Sequence, residues 1–461
     1  MSNSEGSFAD LREREFSRLA ETRHAYLDYT GSALYPESLV RRHAERLCAS
    51  VLGNPHSENP ASLQSTAQVD AARASVLDFF DADPGEYTVC FTANATAAIK
   101  LVAESFPFGP ASRFALSTDN HNSINGIREY ARRARARVDY LPLDEELRLA
   151  DPEAELPLLA DAGPSLFALP AQSNFSGVKH PLELVEIARG RGYLVLLDAA
   201  AYVPTQPLSL RRVPADFVAV SFYKMFGYPT GVGALIARRA SLARLQRPSF
   251  SGGAVDFVSV SARMHRLTPG EAGFEDGTPN FLGLAAVPDG LTFLAGLGMP
   301  AIGAHVTALA SRLLHALSAM RHGDGSRAVW LHGPATMEAR GGTVAFNLVD
   351  ADRAVIPHEQ VVAAAARSNI SLRGGCFCNP GATEVAFGFE PGKLRGCLER
   401  VQDEFSLERL AECMDGAPVG AVRASLGLAS NAEDVDRLVG LLQELSGARP
   451  DAARPARVEM A

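Results

Sequence analysis

Short apolar segments alternate with helical segments between about residues 26 and 290, and this alternation is the feature that most constrains the fold. The apolar runs at 87–91, 166–169, 194–197 and 217–221 have the length of buried strands. Helical patterns at 95–106, 123–134 and 182–189 separate the runs. Parallel strands need such crossover helices, so the alternation predicts an α/β fold with a mostly parallel sheet. In sheets of this kind, ligands bind beyond the carboxyl ends of the strands.

The pattern changes after residue 290. Helical segments at 300–320 and 358–368 accompany short strands near 328–332, 342–348 and 370–373, and a helix is predicted at 432–445. We interpret this part as a smaller α+β domain. The predicted organisation is an N-terminal helix packing on the small domain (1–25), a large domain (26–290), a small domain (291–447) and a flexible tail (448–461).

Charge and hydropathy exclude several classes of protein. The formal net charge of -9 leaves no basic surface for a polyanion, so we expect no nucleic-acid partner. No apolar run is long enough to cross a bilayer, and residues 1–15 are polar and charged, so we expect no membrane association and no secretory signal. Six scattered cysteines are too few for a disulfide framework and favour a reducing compartment. We therefore expect a cytoplasmic enzyme that acts on a small molecule.

Three polar features follow predicted strands. Ala-Asn-Ala-Thr at 93–96 opens a helix whose backbone N–H groups can hold an anion, although a plain helix cap is the commoner interpretation. Asp198 ends an apolar run, where its carboxylate can cap the next segment or hold a proton on a ring nitrogen. Lys224 lies just beyond Ser221, at the end of another apolar run. All three positions are those at which a parallel sheet collects its ligand-binding groups.

Lys224 is the strongest candidate for an amine nucleophile. The other three lysines are Lys100 on a predicted helix, Lys179 in a loop and Lys393 in a polar segment. Burial at a strand end lowers the pKa of a lysine and favours Schiff-base chemistry, whereas a single lysine is more often a plain surface residue. An anion cradle, a strand-end Asp and a strand-end Lys suit the phosphate, ring nitrogen and aldehyde of pyridoxal 5'-phosphate.

Several long motifs carry a resemblance to a known family. They are Gly-Asn-Pro-His-Ser (53–57), Phe-Thr-Ala-Asn-Ala-Thr-Ala-Ala (91–98), Asp-Asn-His-Asn-Ser (119–123), Gln-Ser-Asn-Phe-Ser-Gly (172–177), Ser-Phe-Tyr-Lys-Met-Phe-Gly (221–227), Phe-Glu-Asp-Gly-Thr-Pro-Asn-Phe (274–281) and Arg-Gly-Gly-Cys-Phe-Cys-Asn-Pro-Gly-Ala (373–382). Over residues 24–447 the chain resembles the class-V aminotransferase and cysteine desulfurase-like family, and is most similar to the pyridoxal-phosphate domain of molybdenum cofactor sulfurases. The resemblance implies a fold-type I transferase with a mostly parallel seven-stranded sheet in its large domain.

The resemblance also implies which residues hold the cofactor. Lys224 would bind its aldehyde, Asp198 its pyridine nitrogen and Asn174 its phenolate oxygen, and His121 would stack on the ring. The phosphate would be held by Ala95, Thr96, Ser221 and Tyr223.

Other residues would bind the substrate and a second subunit. Arg423, helped by Arg373, would bind the substrate carboxylate. Gly277 and Thr278 match a segment that reaches the phosphate held by the other protomer, which implies a homodimer.

Cys376 and Cys378 acquire a role through the same resemblance. Taken alone, a Cys-x-Cys sequence is compatible with two buried small side chains or with half of a zinc site, but no second closely spaced pair is present, so we expect no metal. By the family's pattern Cys378 accepts the sulfur. Gly374 and Gly375 suggest a mobile loop that carries Cys378 to and from the site.

The expected function is removal of sulfur from L-cysteine, which leaves a persulfide on Cys378 and releases alanine. The sulfur would then pass to an unidentified acceptor, and residues 384–416 form an insertion that is either a docking surface or a lid. One alternative is a pyridoxal-phosphate-dependent carbon-sulfur lyase, epimerase or aminotransferase acting on another amino acid. A nicotinamide-dependent oxidoreductase or a non-catalytic binding module is disfavoured, because no Gly-x-Gly-x-x-Gly follows the first strand.

Overall fold

The computed structural model describes residues 3–159, 163–447 and 449–450. Its helices are α1 (Asn3–Glu15), α2 (Arg18–Glu21), α3 (Glu37–Ala49), α4 (Pro60–Phe79), α5 (Ala95–Ser105), α6 (Asn122–Asn125), α7 (Ile127–Arg133), α8 (Pro152–Glu155), α9 (Leu184–Gly190), α10 (Phe222–Phe226), α11 (Arg239–Leu242), α12 (Phe281–Leu284), α13 (Val287–Leu297), α14 (Met299–Ala319), α15 (His358–Arg367), α16 (Pro380–Ala386), α17 (Pro391–Val401), α18 (Leu407–Cys413) and α19 (Ala432–Ser446). Short 3-10 helices lie at Gly270–Phe274 and Gln402–Glu404.

The strands form a large sheet, a smaller sheet and several two-stranded pairs. They are β1 (Ala25–Tyr26), β2 (Tyr87–Thr92), β3 (Arg113–Ser117), β4 (Arg137–Leu141), β5 (Leu166–Pro170), β6 (Leu194–Asp198), β7 (Phe217–Ser221), β8 (Gly233–Arg238), β9 (Val255–Ser259), β10 (Met264–Leu267), β11 (Met320–Arg321), β12 (Val329–His332), β13 (Thr343–Val349), β14 (Val355–Ile356), β15 (Ile370–Ser371), β16 (Arg373–Gly375), β17 (Ala421–Ser425) and β18 (Arg449–Pro450).

The large sheet has the strand order β2-β8-β7-β6-β5-β3-β4. Strands β7, β6, β5, β3 and β4 pair in parallel, and β8 is antiparallel to its neighbours β2 and β7. The prediction of a mostly parallel seven-stranded sheet is therefore confirmed. Because β2 runs in the same direction as β7, the carboxyl ends of β2, β3, β5, β6 and β7 all lie at one edge.

The central strands bury both faces. Successive side chains of a strand point to opposite faces, so in β6 Val195 and Leu197 join the core under α4, α9 and α13, while Leu194 and Leu196 join the core under α5 and α7. Such two-sided burial requires apolar residues at consecutive positions, which explains the continuous apolar runs in the sequence.

The smaller sheet has the order β12-β13-β17-β16, with β14 paired to β13. Its strands are antiparallel, and Leu313 of α14, Val361 of α15 and Leu438 of α19 lie in the core that covers it. The predicted α+β character is confirmed. Residues 370–375 form two separate strands, because β15 pairs in parallel with β1 and only β16 joins this sheet.

The first helix packs against two others. Helix α1 contacts α3 and α14, Phe8 stacks on His305 with ring centroids 4.2 Å apart, and Arg12 forms an ion pair with Asp434 at 2.7 Å. The domain boundaries at 25, 290 and 447 stay predictions. The predicted flexible tail, 448–461, lies outside the described residues except for β18, which pairs with β11.

A disulfide joins Cys397 of α17 to Cys413 of α18, with Cα atoms 5.7 Å apart. The cysteine count leads us to expect no disulfide framework and a reducing compartment, so this single disulfide was not expected. The two cysteines are sixteen residues apart and come together because the chain turns between α17 and α18, two helices that were not predicted from the sequence. The other four cysteines, Cys48, Cys90, Cys376 and Cys378, are free.

Among the described residues, no single helix has both the length and the apolar composition needed to cross a membrane. The pair Phe281–Leu297 and Met299–Ala319 meets the requirement only when taken together, and it is bent by 69°. In the fold, Leu291 of α13 and Leu313 of α14 are buried against other elements of the protein.

Candidate active site

Eight of the residues expected to hold the cofactor line one cleft of about 140 Å³ at the carboxyl edge of the large sheet. They are Ala95 and Thr96 after β2, His121 after β3, Asn174 after β5, Asp198 at the end of β6, and Ser221, Tyr223 and Lys224 at and after the end of β7. Parallel strands bring these residues together although they are far apart in the sequence. The role of each residue stays a prediction.

One end of the cleft is built to receive an anion. Helix α5 begins at Ala95, and Asn94 caps it by accepting a hydrogen bond from a first-turn N–H at 2.9 Å. Ser221 Oγ accepts from the Ala95 N–H at 2.8 Å, which leaves the Ser221 hydroxyl hydrogen to donate to a ligand. Thr96 Oγ1 lies 2.8 Å from Ser123 Oγ. A helix N-terminus flanked by hydroxyls fits a phosphate group.

The middle of the cleft suits an aromatic ring with a basic nitrogen. The Asp198 carboxylate is buried and accepts one hydrogen bond, from the Ala200 N–H at 3.0 Å. His121 Nδ1 accepts from the Ser123 N–H at 3.1 Å, so the neutral imidazole carries its hydrogen on Nε2. Burial lowers the pKa of His121, and the nearby Asp198 opposes this. A neutral flat ring for stacking and a carboxylate for a pyridinium fit pyridoxal 5'-phosphate.

Lys224 is held in a short helix directly after β7. Helix α10 ends at Phe226 and is followed by Gly227, whose φ of 77° and close approach to the backbone of Tyr35 leave no room for a Cβ. Burial lowers the pKa of the Lys224 amine, Asp198 opposes this, and Arg423 adds to it. A lysine with a lowered pKa has more neutral amine at neutral pH, as a nucleophile or base requires.

Arg423 lies beside the cleft, on β17 of the smaller sheet, close enough for its charge to act on Lys224 and His121. Its side chain is buried, donates from Nη1 to the Asn174 carbonyl at 2.9 Å and donates from Nη2 to Asp28 Oδ1 at 3.1 Å. Its Nε has no hydrogen-bond partner among the described residues. Burial lowers the pKa of Arg423 to about 10, so it is charged at neutral pH. A buried guanidinium with an unused donor fits a substrate carboxylate.

Asp28 is a residue that the sequence analysis missed. It accepts from Arg423 and also from Arg373 Nη2 at 2.6 Å, so one carboxylate joins the two arginines proposed for substrate binding. Arg373 is opposite Arg423 in the pairing of β16 with β17, and its side chain is half exposed. The only signal for Asp28 is a carboxylate directly after the apolar residues 25–27. The predicted help of Arg373 in substrate binding stays a prediction.

The segment that carries Cys378 is docked on the cleft. Its Phe377 carbonyl accepts from Asn174 Nδ2 at 2.7 Å, and its Cys378 carbonyl accepts from the Asn122 N–H at 2.7 Å. The Phe377 ring is buried beneath the Arg423 guanidinium, 4.7 Å from ring centroid to Cζ. Cys376 and Cys378 are exposed free thiols. The expected loop glycines, 374 and 375, instead lie in β16.

Five predicted site residues do not line the cleft: Arg373, Cys378 and Arg423, which lie beside it, and Gly277 and Thr278, for which the described residues show no contact with it. Gly277 and Thr278 lie in a surface segment, where Thr278 Oγ1 accepts from Asn54 Nδ2 at 3.1 Å and the Gly277 N–H donates to the Gly252 carbonyl at 2.8 Å. Their predicted contact with the phosphate of a second protomer stays a prediction.

The fold and the cleft define a pyridoxal-phosphate enzyme of fold-type I. Residues 25–438 match the model of the family described as Aminotransferase class-V. The chain belongs to this family, whose members use pyridoxal phosphate, and the cofactor prediction is thereby confirmed.

Individual proteins within the family show more specifically what the chain is similar to. The chain is 35% identical to the molybdenum cofactor sulfurase of Arabidopsis thaliana over 94% of this chain and 57% of that protein, and 37% identical to the one of Homo sapiens over 93% and 50%. It thus spans about half the length of these curated relatives. Among solved structures, it is similar to the apo cysteine desulfurase of Thermococcus onnurineus, with a TM-score of 0.77 and 24% identity over 95% of this chain and 98% of that one. A cysteine desulfurase from Escherichia coli gives a TM-score of 0.74 and 23% identity over 95% and 99%.

Proposed function

We propose that this chain is a pyridoxal-phosphate-dependent cysteine desulfurase, which moves sulfur from L-cysteine to Cys378 and releases alanine. The observation that carries the proposal is the docking of the Cys378 segment on the cofactor cleft through Asn122 and Asn174. The exposed Cys378 side chain lies close enough to Lys224 for a thiolate there to raise the pKa of the Lys224 amine. An aminotransferase has no need of a thiol at this position.

Each proposed step has a group in or beside the cleft. The cofactor, when bound, withdraws electrons from the α-carbon of the amino acid. Arg423 binds and orients the substrate carboxylate, and the Lys224 amine takes the α-proton. The Cys378 thiolate attacks the substrate sulfur and the carbon–sulfur bond breaks. Sulfur stays on Cys378 as a persulfide, while the carbon keeps the electron pair and receives a proton to become alanine.

The names of the relatives support a sulfur-transfer reaction. The curated relatives are called molybdenum cofactor sulfurases, and the two structural neighbours are called cysteine desulfurases. Sulfur would leave Cys378 by attack of an acceptor on the outer sulfur atom, which restores the thiol. The acceptor can be a protein or a small molecule.

A single-turnover experiment tests the proposal. The cofactor-loaded protein is mixed with one equivalent of L-cysteine, alanine is quantified, and the persulfide is located by mass spectrometry. We expect equal amounts of alanine and of persulfide on Cys378. The Cys378→Ser variant should keep the cofactor absorbance and form neither product, whereas the neighbouring Cys376→Ser variant should form both. Sulfide release by Cys378→Ser at the wild-type rate would instead identify a carbon-sulfur lyase.

We also propose that the active form is a homodimer. The hairpin of β9 and β10 exposes Phe257, Val260 and Met264 at 65%, 91% and 67%, as a subunit interface would. A mixed dimer of Lys224→Ala and Thr278→Ala protomers tests whether Thr278 acts across the interface. If it does, the protomer that keeps Lys224 binds the cofactor with wild-type affinity; reduced affinity in that protomer would show that Thr278 acts in its own subunit.

The proposed location is the cytoplasm. The support is that four of the six cysteines are free, among them both thiols of the Cys378 segment, whereas the Cys397–Cys413 disulfide counts against a reducing compartment. Cell fractionation with an antibody to the chain tests it, and recovery in a membrane or exported fraction would contradict it.

A further inference from the structure

Asn379 directly follows Cys378, is fully buried, and uses every polar atom of its side chain. Its Oδ1 accepts from the Ala382 N–H at 3.1 Å and so caps α16. Its Nδ2 donates to the Asp119 carbonyl at 2.7 Å and to Asn174 Oδ1 at 2.9 Å. One side chain therefore joins the Cys378 segment to the two chain segments that carry His121 and Asn174.

The orientation of both amides is fixed by main-chain groups. The Ala382 N–H can only donate and the Asp119 carbonyl can only accept, so the Asn379 oxygen must face α16 and its nitrogen must face Asp119. That nitrogen then requires an oxygen on Asn174. The nitrogen of Asn174 is thereby turned toward the Phe377 carbonyl, at 2.7 Å, and its second hydrogen is left for a ligand in the cleft.

Close packing supports the same docking. Gly381 lies so close to Thr118, the residue that follows β3, that a Cβ would overlap the Thr118 carbonyl oxygen. Phe377 and Cys378 both have a φ of 55°, in the left-handed region that non-glycine residues rarely adopt. Two such residues in succession persist only when surrounding contacts hold them. The bonds of Asn379, together with that of the Asn122 N–H to the Cys378 carbonyl, provide these contacts.

We propose that Asn379 is a positioning residue for the sulfur-transfer step: its two donor bonds hold Cys378 in register with the cofactor cleft. The inference deepens the proposed function, because it names the group that sets where the accepting thiol lies. Asn379 does not touch the reacting atoms. It acts through the main chain of Cys378 and through the amide of Asn174.

Two variants remove the donors but keep a capping oxygen. Asn379→Ser keeps a neutral N-cap and is too short to reach Asp119 or Asn174, and Asn379→Asp keeps the size but replaces the donor by an acceptor. Thr383→Val is the matched control. Thr383 Oγ1 donates to the Asn379 carbonyl at 2.9 Å, so this change removes a bond in the same helical turn and leaves both cross-domain donors in place.

Two measurements are made on the cofactor-loaded proteins. With L-cysteine in a single turnover, we expect persulfide formation on Cys378 to slow by about tenfold to a hundredfold in both Asn379 variants, since a displaced reacting group costs this much. The cofactor absorbance and its first change on adding L-cysteine should match wild type. Without substrate, the Asn122 amide should exchange its hydrogen faster in both variants, because its acceptor is the Cys378 carbonyl. Thr383→Val should behave as wild type in both measurements.

The outcomes separate this inference from the proposed function. The inference is overturned if both Asn379 variants form the persulfide and exchange the Asn122 amide hydrogen at wild-type rates. It is also overturned if Thr383→Val slows persulfide formation as much as the Asn379 variants do, because the effect would then come from the stability of α16. Loss of cofactor binding in both Asn379 variants would also overturn it. If wild-type protein forms no persulfide, the proposed function fails, whereas the hydrogen-exchange comparison still decides whether Asn379 docks the Cys378 segment.

Discussion

The cofactor cleft and the Cys378 segment are built by different means. The cleft is assembled from the ends of neighbouring parallel strands, and its groups follow those strands in a regular order along the chain. The Cys378 segment follows β16 of the smaller sheet, and Arg423 lies in β17 of the same sheet. Both are held beside the cleft by side chains such as Asp28, Asn174 and Asn379. One half of the site follows from topology, and the other half depends on individual hydrogen bonds.

Because of this difference, we expect substitutions in the cofactor cleft and substitutions in the contacts of the Cys378 segment to have different effects. Strand ends are fixed by the whole buried sheet, so a single substitution there removes a chemical group without moving its neighbours. Bonds between the two sheets are few, and the loss of one can displace the segment it holds.

The largest expected effect is that of Lys224→Ala. Loss of the amine that takes the α-proton should lower the rate of alanine formation by roughly a thousandfold, within the usual range for a general base, and leave the fold intact. Borohydride reduction followed by peptide mapping of wild type should place the cofactor on Lys224. Lys179→Ala is the control, because burial lowers the pKa of Lys179 as well but it lies outside the cleft. A reduced cofactor on Lys100, Lys179 or Lys393 would contradict the site.

The next effect is expected for Asp28→Asn. The change keeps the shape but removes the charge that orients Arg423 and Arg373, so the KM for L-cysteine should rise by about tenfold while cofactor affinity is unchanged. Steady-state kinetics and cofactor titration measure the two quantities. Asp289→Asn, which alters a carboxylate paired with Arg42 and Arg46 away from the cleft, should change neither. If Asp28→Asn weakened cofactor binding as much as it raised the KM for L-cysteine, the cofactor cleft and the arginine pair would not be separate parts of the site.

A smaller effect is expected in the pH dependence of cofactor capture by the cofactor-free protein. Burial lowers the pKa of Lys224, so the neutral amine is present above a midpoint that lies below the ordinary lysine value of 10.5, and capture should rise with pH through that midpoint. Arg423 also lowers this pKa. Arg423→Gln should therefore move the midpoint to higher pH, as measured by stopped-flow absorbance. A midpoint that moves to lower pH would contradict the assignment of these charges.

The smallest effect on activity is expected from removing the disulfide. The double change Cys397→Ser and Cys413→Ser opens a loop of sixteen residues, for which chain entropy predicts a loss of about 3 kcal/mol in the free energy of unfolding. Thermal melting should report this loss, while persulfide formation on Cys378 stays at the wild-type rate. Cys48→Ser, on α3, is the control for the loss of a cysteine elsewhere. A slower persulfide step in the double variant would link residues 384–416 to the Cys378 segment.

Most of the fold and half of the site could be predicted from the sequence. The runs that became β5, β6 and β7 indicate a buried parallel sheet, and Asp198, Ser221 and Lys224 stand at its strand ends. These signals are local, because the residues that form a strand and the group that follows it are adjacent in the chain. The family resemblance added Asn174 and Arg423, whose positions no local pattern marks.

Asp28 and Asn379 could not be found in this way, and neither could the Cys397–Cys413 disulfide. Asp28 is about 395 residues from its partner Arg423, and Asn379 about 205 residues from Asn174. A carboxylate after a short strand, or an asparagine before a proline, can have many roles. The role depends on the residue with which the side chain forms hydrogen bonds. The sequence by itself determined the parallel sheet and the groups at its carboxyl edge, since both depend on apolar burial along contiguous residues. The tertiary structure alone decided how the second half of the site is held against the first, because hydrogen bonds between distant segments exist only once the chain has folded.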